Sequence, residues 1–368
     1  MNLFKFTPTG AATDLHLGEP IQGYDSVTWT ERFQEPGDFK IEAKLSSGLG
    51  DLLVSGDIIS HTDTLEIMIV ESQEIQEDED TEEPIITITG RSFETFLENR
   101  QVGVNRARQN TTIADYVIPA NTIWQQCVFL INDHITGPYD SDDSLIDVTA
   151  VTSVPGTGTS VARTIDRGSV HERLLELLKA AGIGVRTLRR NDFGGLGSST
   201  LTYISIYKGA DLTSSVIFSW KARDLDSMRY LFSQKKLKNS ALVVGRYVFT
   251  VVDTGGTNYD RRIMLVDAND IDGSLTAPPT GTALTNVLNA MAERGKLILA
   301  KQSRIHMTQA DVASISQYQY RKDYNVGDLV TLDGNYGQTA QVRITEFAEI
   351  EDENGVSGHP TLELPEPL

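Results

Sequence analysis

The chain carries one cysteine, Cys127, in 368 residues. No disulfide can close within it, and no thiolate cluster can hold a metal. No stretch approaches the roughly 18 consecutive apolar residues that a membrane helix needs. The opening MNLFKFTPTG lacks the apolar segment of a signal peptide. These absences predict a chain made and folded in a cytosol, with no membrane-spanning segment. Basic residues are also short, with 32 Lys and Arg against 51 Asp and Glu and a net charge of -19. Nucleic-acid binding needs clustered Lys and Arg to displace counterions, and no such cluster is present.

Recognisable catalytic spacing is missing as well. The histidines, at 16, 61, 134, 171, 306 and 359, are scattered, and none lies in a His-Glu-x-x-His helix. There is no Gly-x-Ser-x-Gly elbow, and Cys127 in WQQCVFL reads as a small buried apolar side chain. Asp140, Asp142 and Asp143 in PYDSDDS could ligate a cation or supply a glycosidase carboxylate, but the reading they favour is a surface loop. The run QEDEDTEEP, with six acids, lacks the glycine and alternation of a calcium loop and reads as a solvated hairpin tip. DFGGLGSST lacks the Lys-Ser/Thr of a phosphate cradle and leads into a strand. No residue is assigned to catalysis, to a cofactor or to a metal.

What is present is β-structure. VTWTERF (27–33), FKIEAKL (39–45), GDIISHT (56–62), LEIMIVESQEI (65–75) and IITIT (85–89) alternate and are separated by Gly, Pro or Asp turns. Gly90 then breaks the pattern. Ser92 is placed as N-cap, with Glu94 in the first turn and Phe93, Phe96, Leu97 and Arg100 at helical spacing. Further on, TTIADYVIPANT (111–122) has room for a helical turn before Pro119, and VPGTGTS (154–160) reads as a loop. Ser169 and Glu172 form a capping box ahead of Leu174, Leu175, Leu177 and Leu178, with Gly182 as the stop. GVRTLRR and LTYISIYKG read as a hairpin, and VIFSW (216–220) and ALVVGRYVFTVV (241–252) as strands. TALTNVLNAMAERG places Leu284, Val287, Leu288 and Met291 on one helical face, with Gly295 near its end.

The chain also repeats itself. Residues 56–89 and 327–364 each open with Gly-Asp and an apolar pair, continue into an alternating strand, and reach an acidic tip and then a proline, Pro84 or Pro360. Glu71, Glu74 and Ile75 match Glu346, Glu349 and Ile350. Two unrelated hairpins with acidic tips would look similar; the order of features favours two versions of one barrel in a single chain.

Several segments carry a family resemblance: W-x-x-x-F with EPGDFKIEAKL, ITGRSFETFLENR, YKGADLTSSVIFSWKARDLDSMRYLFSQKKLKNSALVVG, and DYNVGDLVTL with VRITEF. On these the chain resembles the tail-tip hub, or minor tail, proteins of siphophages, which are similar to the baseplate hubs of contractile-tailed phages. The resemblance implies a mainly β protein with α+β insertions: two tube-type β-barrels in one chain, a helix packed on each, and smaller inserted domains. The implied division is a first barrel with its helix at 1–115, an α+β insertion at 116–200, a second barrel from 201–255 and 320–368, and a helical insertion at 256–319.

Two functions follow for testing. The first is a structural hub, a homotrimer in the tail tip of the virion. It is assembled in the host cytoplasm and meets the tail tube or distal tail protein and the tail fibre or receptor-binding proteins, with DNA only in transit through its channel. The second is a host-facing module that binds or cleaves cell-wall glycan. The chain ends at PTLELPEPL almost as soon as the implied second barrel is complete, which favours the hub, without enzymatic activity.

Overall fold

The structure, a computed structural model, describes residues 2–6, 19–77, 83–103, 116–135, 148–152, 160–189, 202–233, 237–272, 275–300, 305–312, 317–334 and 339–363. The chain divides into two compact units. One comprises residues 1–228 and 309–363, the other residues 229–308 with 364–368.

The first unit begins with strands β1 (Leu3–Phe6), β2 (Pro20–Ile21), β3 (Ser26–Arg32) and β4 (Asp38–Lys44), the single turn α1 (Leu49–Leu52), then β5 (Ile58–His61), β6 (Ile67–Gln76) and β7 (Ile85–Ser92). The alternating segments of the sequence thus form strands, paired in the order β3-β4-β7-β6-β5-β1-β2. Alternation works as expected: Phe39, Ile41 and Ala43 of β4 point inward, as do Val27 and Trp29 of β3. Trp29 stacks on Phe39 with ring centroids 6.3 Å apart, in a core shared with Ile59, Met68, Ile86 and Ile88.

Gly90 does not end its strand; β7 runs on to Ser92. A Cβ at position 90 would lie 1.9 Å from the Ile69 carbonyl oxygen and 2.6 Å from the Phe39 ring, so glycine is needed for close approach within the ladder. On the facing strand β6 bulges, pairing Val70 with Gly90 and Ser72 with Thr89. The predicted helix follows at Phe93–Asn99 in the tighter 3-10 form. Ser92 stands at its N-cap, but its hydroxyl accepts the Gly37 N–H at 2.8 Å instead of capping.

The middle of the chain supplies β8 (Tyr116–Asn121), α2 (Ile123–Ile135), β9 (Val148–Thr152), β10 (Val161–Ile165), α3 (Val170–Ala181), β11 (Gly184–Arg189) and β12 (Thr202–Tyr207). Of the segment expected to hold a helical turn before Pro119, residues 111–115 lie outside the described residues, and 116–118 belong to strand β8, paired with β10. The register slips between Ile118 and Asn121, where Pro119, having no N–H, removes no ladder bond. Helix α3 starts after Ser169 and stops at Gly182, whose left-handed conformation (φ 60) ends it as the sequence predicts. The Ser169 hydroxyl itself makes no cap. Helix α2 was not legible in advance. It buries Trp124, Cys127, Leu130 and Ile131 against Leu174, Leu177 and Leu178 of α3, in a core that includes Phe93 and Leu97. Burial pushes the Cys127 thiol up to about 12. Strands β11 and β12 pair antiparallel, as the hairpin reading requires, and β9 joins β12 in parallel. The loops at 154–159 and 192–200 and the acids 78–82 lie outside the described residues.

After β13 (Ile217–Ser219), the chain passes through β14 (Leu225–Ser233) into the second unit. ALVVGRYVFTVV folds as two strands, β15 (Ser240–Val244) and β16 (Phe249–Asp253), and β17 (Ile263–Asp267) lies parallel to β15 on its other side. The turn between β15 and β16 is pinned by Asp272 of α4 (Asn269–Asp272), whose carboxylate accepts the N–H groups of Arg246 and Tyr247 at 2.7 and 2.8 Å. Helix α5 (Gly281–Ala300) covers one sheet face, with Met291 and Leu299 packed in the core with Ala241, Val243, Val252 and Val266. Gly295 does not stop it. A Cβ there would come within 2.8 Å of Val243 and Val252, so the glycine lets the helix sit close to the sheet.

Strand β18 (Ile305–Val312) returns the chain to the first unit, where β19 (Leu329–Asp333), β20 (Thr339–Asp352) and β21 (Gly355–Glu363) complete it. β20 pairs with β19, β21 and β3, so both ends of the chain share one sheet. The two matching segments share the local geometry of the turn and of the bulge that follows it. Gly56 and Gly327 adopt φ 95 and φ 96. The Gly56 N–H donates to Val70 O and the Val70 N–H to Asp57 O; likewise Gly327 donates to Ile344 O and Ile344 to Asp328 O. Each aspartate accepts the N–H three residues back, from Val54 or Asn325, at 2.8 Å. One residue later each long strand bulges, at Glu71 or at Thr345. The bulge therefore equates Glu71 with Thr345, one place off the sequence match to Glu346.

Candidate functional site

The richest concentration of ionisable groups lies in the first unit, where β11 crosses the ends of β3 and β6. The Val185 N–H donates to Phe33 O at 3.0 Å and the Arg189 N–H to Leu65 O at 2.7 Å, so β11 is tied to both strands by backbone. Glu31 shares the inward parity of Val27, Trp29 and Phe33 on β3, which buries an acid on an apolar face. Such burial demands a partner. Arg321 provides it, reaching Glu31 at 2.8 Å and Glu349 of β20 at 2.6 Å. Burial works against its charge, but the two carboxylates more than offset this and hold the guanidinium pKa above its ordinary value. The Tyr320 hydroxyl also donates to Glu31, and its ring stacks on Phe347 at 3.7 Å. Arg321 has φ 65, a left-handed conformation rare for a residue with a side chain. The turn that imposes it closes through the Arg321 N–H to Tyr324 O at 2.9 Å.

Two further buried acids adjoin this pair. Glu94, placed by the sequence in the first turn of the helix after Ser92, is buried and accepts the Thr187 hydroxyl at 2.6 Å. Burial raises its pKa to about 7. Glu66 is pushed well above the carboxylate range, by burial first and by the charge of Glu31 second, with Arg186 and Arg321 opposing. Arg186 lies over the Tyr207 ring at 4.4 Å, and Arg189 donates to the Ser60 hydroxyl at 3.0 Å. Glu31, Glu66 and Glu94 are each more than nine-tenths buried. Acids so enclosed are positioned to lock β11 and the 317–326 turn onto the sheet, where a substrate has no access.

Among the described residues the histidines are not gathered into a site. His134 is satisfied by Leu130 O and the Gly103 N–H at 2.8 and 3.0 Å, and His61 is enclosed beside Trp29. His171 lies in the first turn of α3, 4.0 Å from Glu98, and His359 lies beside Ser357 on β21. His16, Asp140, Asp142 and Asp143 lie outside the described residues, as does the side chain of His306. Among the described residues no group of three or more His, Cys, Asp or Glu is arranged to hold a metal, and no helix is long and apolar enough to cross a membrane. Sequence reading missed the Arg321 cluster. One available signal was Glu31 on the apolar parity of its strand.

The fold defines a class. It is similar to the 43 kDa tail protein of prophage MuSo2 from Shewanella oneidensis, at 15% identity and TM-score 0.58, covering 99% of this chain and 98% of that one. It is also similar to a tail protein from Neisseria meningitidis MC58, at 12% identity and TM-score 0.56, covering 98% and 96% of the two chains. A third similar fold is prophage tail protein gp18 of Listeria monocytogenes EGD-e, at 10% identity and TM-score 0.56, covering 100% and 96%. These likenesses establish a phage tail protein fold. The chain belongs to the Siphovirus ReqiPepy6 Gp37-like protein family, whose model matches residues 12–362. No curated protein matches it.

Proposed function

We infer that the protein is the structural hub of a siphophage tail tip, three copies of which close into a ring that joins the tail tube to the tip. One observation carries the reading: the Gly-Asp turn, its paired backbone bonds and the following bulge occur twice in one chain, at Gly56–Glu71 and Gly327–Thr345. Two copies of a tube-type barrel per chain give three subunits six similar positions, so a threefold tip meets a sixfold tube. Ring closure needs heterologous contacts, the first barrel of one subunit against the second of the next. The tail tube or distal tail protein lies on one side of this ring and the fibre or receptor-binding proteins on the other.

The channel carries DNA only in transit, and an acidic lining suits passage because it repels phosphate. The proposed division remains a first barrel at 1–115, an insertion at 116–200, a second barrel from 201–255 with 320–368, and a further insertion at 256–319. The protein acts without catalysis. Immunogold labelling of intact particles tests the location: gold at the tail tip is expected, and gold confined to the head or tail shaft contradicts the reading. Zymography against host cell wall separates it from a lytic module, since a lytic band from purified protein contradicts a purely structural role.

A further inference from the structure

Of the asparagines in the chain, Asn354 alone is followed by glycine. The pair lies where β20 turns back into β21. Asp352 is paired with Gly355 across the turn, which leaves Glu353 and Asn354 at its tip. Residues 352–357 are all exposed. Gly355 supplies the φ of 114 that the turn requires, and a Cβ there would meet nothing within 4 Å. The Asn354 carboxamide is held by a single long hydrogen bond, from Nδ2 to the Asp352 carboxylate at 3.4 Å.

We propose that Asn354 is a site of spontaneous covalent modification, converted with time into aspartate and isoaspartate. The Gly355 backbone nitrogen attacks the side-chain carbonyl carbon of Asn354. A carbon–nitrogen bond forms, the side-chain nitrogen leaves as ammonia, and the proton lost by the attacking nitrogen ends on that ammonia by way of solvent. Water then opens the resulting cyclic imide. Opening at one carbonyl gives aspartate, and opening at the other gives isoaspartate, whose main chain is one carbon longer. No electrons are transferred, and water is the only co-reactant. Glycine favours the attack because it has no side chain to obstruct the nitrogen. Asn239 shows the opposite case, although the small Ser240 follows it. Its Nδ2 donates to Asp260 O at 2.6 Å and its Oδ1 accepts the Arg262 N–H at 2.7 Å. Ser240 is fully buried, and its N–H donates to Arg262 O at 3.3 Å. That carboxamide is clamped at both atoms, and the nitrogen it would have to meet is engaged. Conversion of Asn354 has a structural consequence. Either product adds a carboxylate beside Asp352 and Glu353, and like charges at one tip repel. Isoaspartate also lengthens the turn that sets the pairing of Asp352 with Gly355. The inference is independent of the hub reading.

The test is to incubate the purified full chain in mildly acidic and mildly alkaline buffer and to follow it by peptide mapping with mass spectrometry. Isoaspartate is detected separately, by enzymatic methylation with an isoaspartyl methyltransferase. Asn354→Gln and a synthetic peptide of residues 348–360 are carried in parallel. The expected result is a progressive loss of the unmodified Asn354 peptide, faster in alkaline buffer, while Asn239 stays intact. Methylation of the chain rises over the same period and is abolished by Asn354→Gln, whose exposed tip position leaves the fold unchanged. Retention of Asn354 in the chain while the synthetic peptide converts would overturn the proposal, because the turn would then shield the site. Conversion of Asn239 at the rate of Asn354 would overturn it too, since the clamp would then have no effect. So would methylation that persists in Asn354→Gln, which would place the modified residue elsewhere.

Discussion

At the residue scale, the most informative group is Glu94. Its carboxyl is raised to about 7 by burial, against the Thr187 bond that favours the ionised form. A folded pKa above the unfolded one means that the folded chain binds the extra proton. Glu94 therefore contributes most below the ordinary carboxylate range, near pH 4.5, and that contribution is lost as pH rises through about 7. Glutamine fixes the neutral form and still offers an oxygen to Thr187. In denaturant titrations from pH 5 to 8, Glu94→Gln should gain on the wild type as pH rises, by up to about 3 kcal/mol for a shift of this size. Parallel pH profiles would show that Glu94 does not titrate in this window. Glu66, raised in the same direction, leaves a residual slope in the variant. None of this was legible in sequence, because Glu94 falls at the helix position where an exposed acid is also favourable.

At the scale of elements, strands were the most legible feature, because period 2 and turn residues act over a few positions. Glycines were the least. Gly90 and Gly295 look like terminators in sequence, yet each lies inside an element where a neighbouring backbone or side chain leaves no room for Cβ. That reason is tertiary and has no local signature. Gly56 and Gly327 permit a direct comparison, since they share φ 95 and φ 96. A Cβ at Gly56 meets nothing within 4 Å, whereas one at Gly327 lies 2.7 Å from the Phe33 ring. Gly56→Ala should cost about 1–2 kcal/mol from backbone conformation alone, and Gly327→Ala clearly more, as shifts in urea midpoint. Equal losses would mean that the Phe33 contact yields freely. Helix α2 escaped notice because its buried side includes the polar Gln126 and His134 while Phe129 lies on the other side, which blurs a helical period.

At the scale of the whole molecule, sequence carried the family and the recurring Gly-Asp turn, while the cluster of Glu31, Arg321 and Glu349 required strands far apart in the chain to be brought together. A net charge of -19 bears on passage of DNA. Fluorescence anisotropy with duplex DNA at physiological ionic strength should show no binding, and appreciable salt-dependent binding would contradict a repelling channel. The central claim is that one chain supplies two equivalent positions in a threefold ring. A density map of the intact tail tip tests it most directly. Three copies, each contributing two similar barrels to a ring of six, is the expected result; a single barrel per chain, or a copy number other than three, would contradict it.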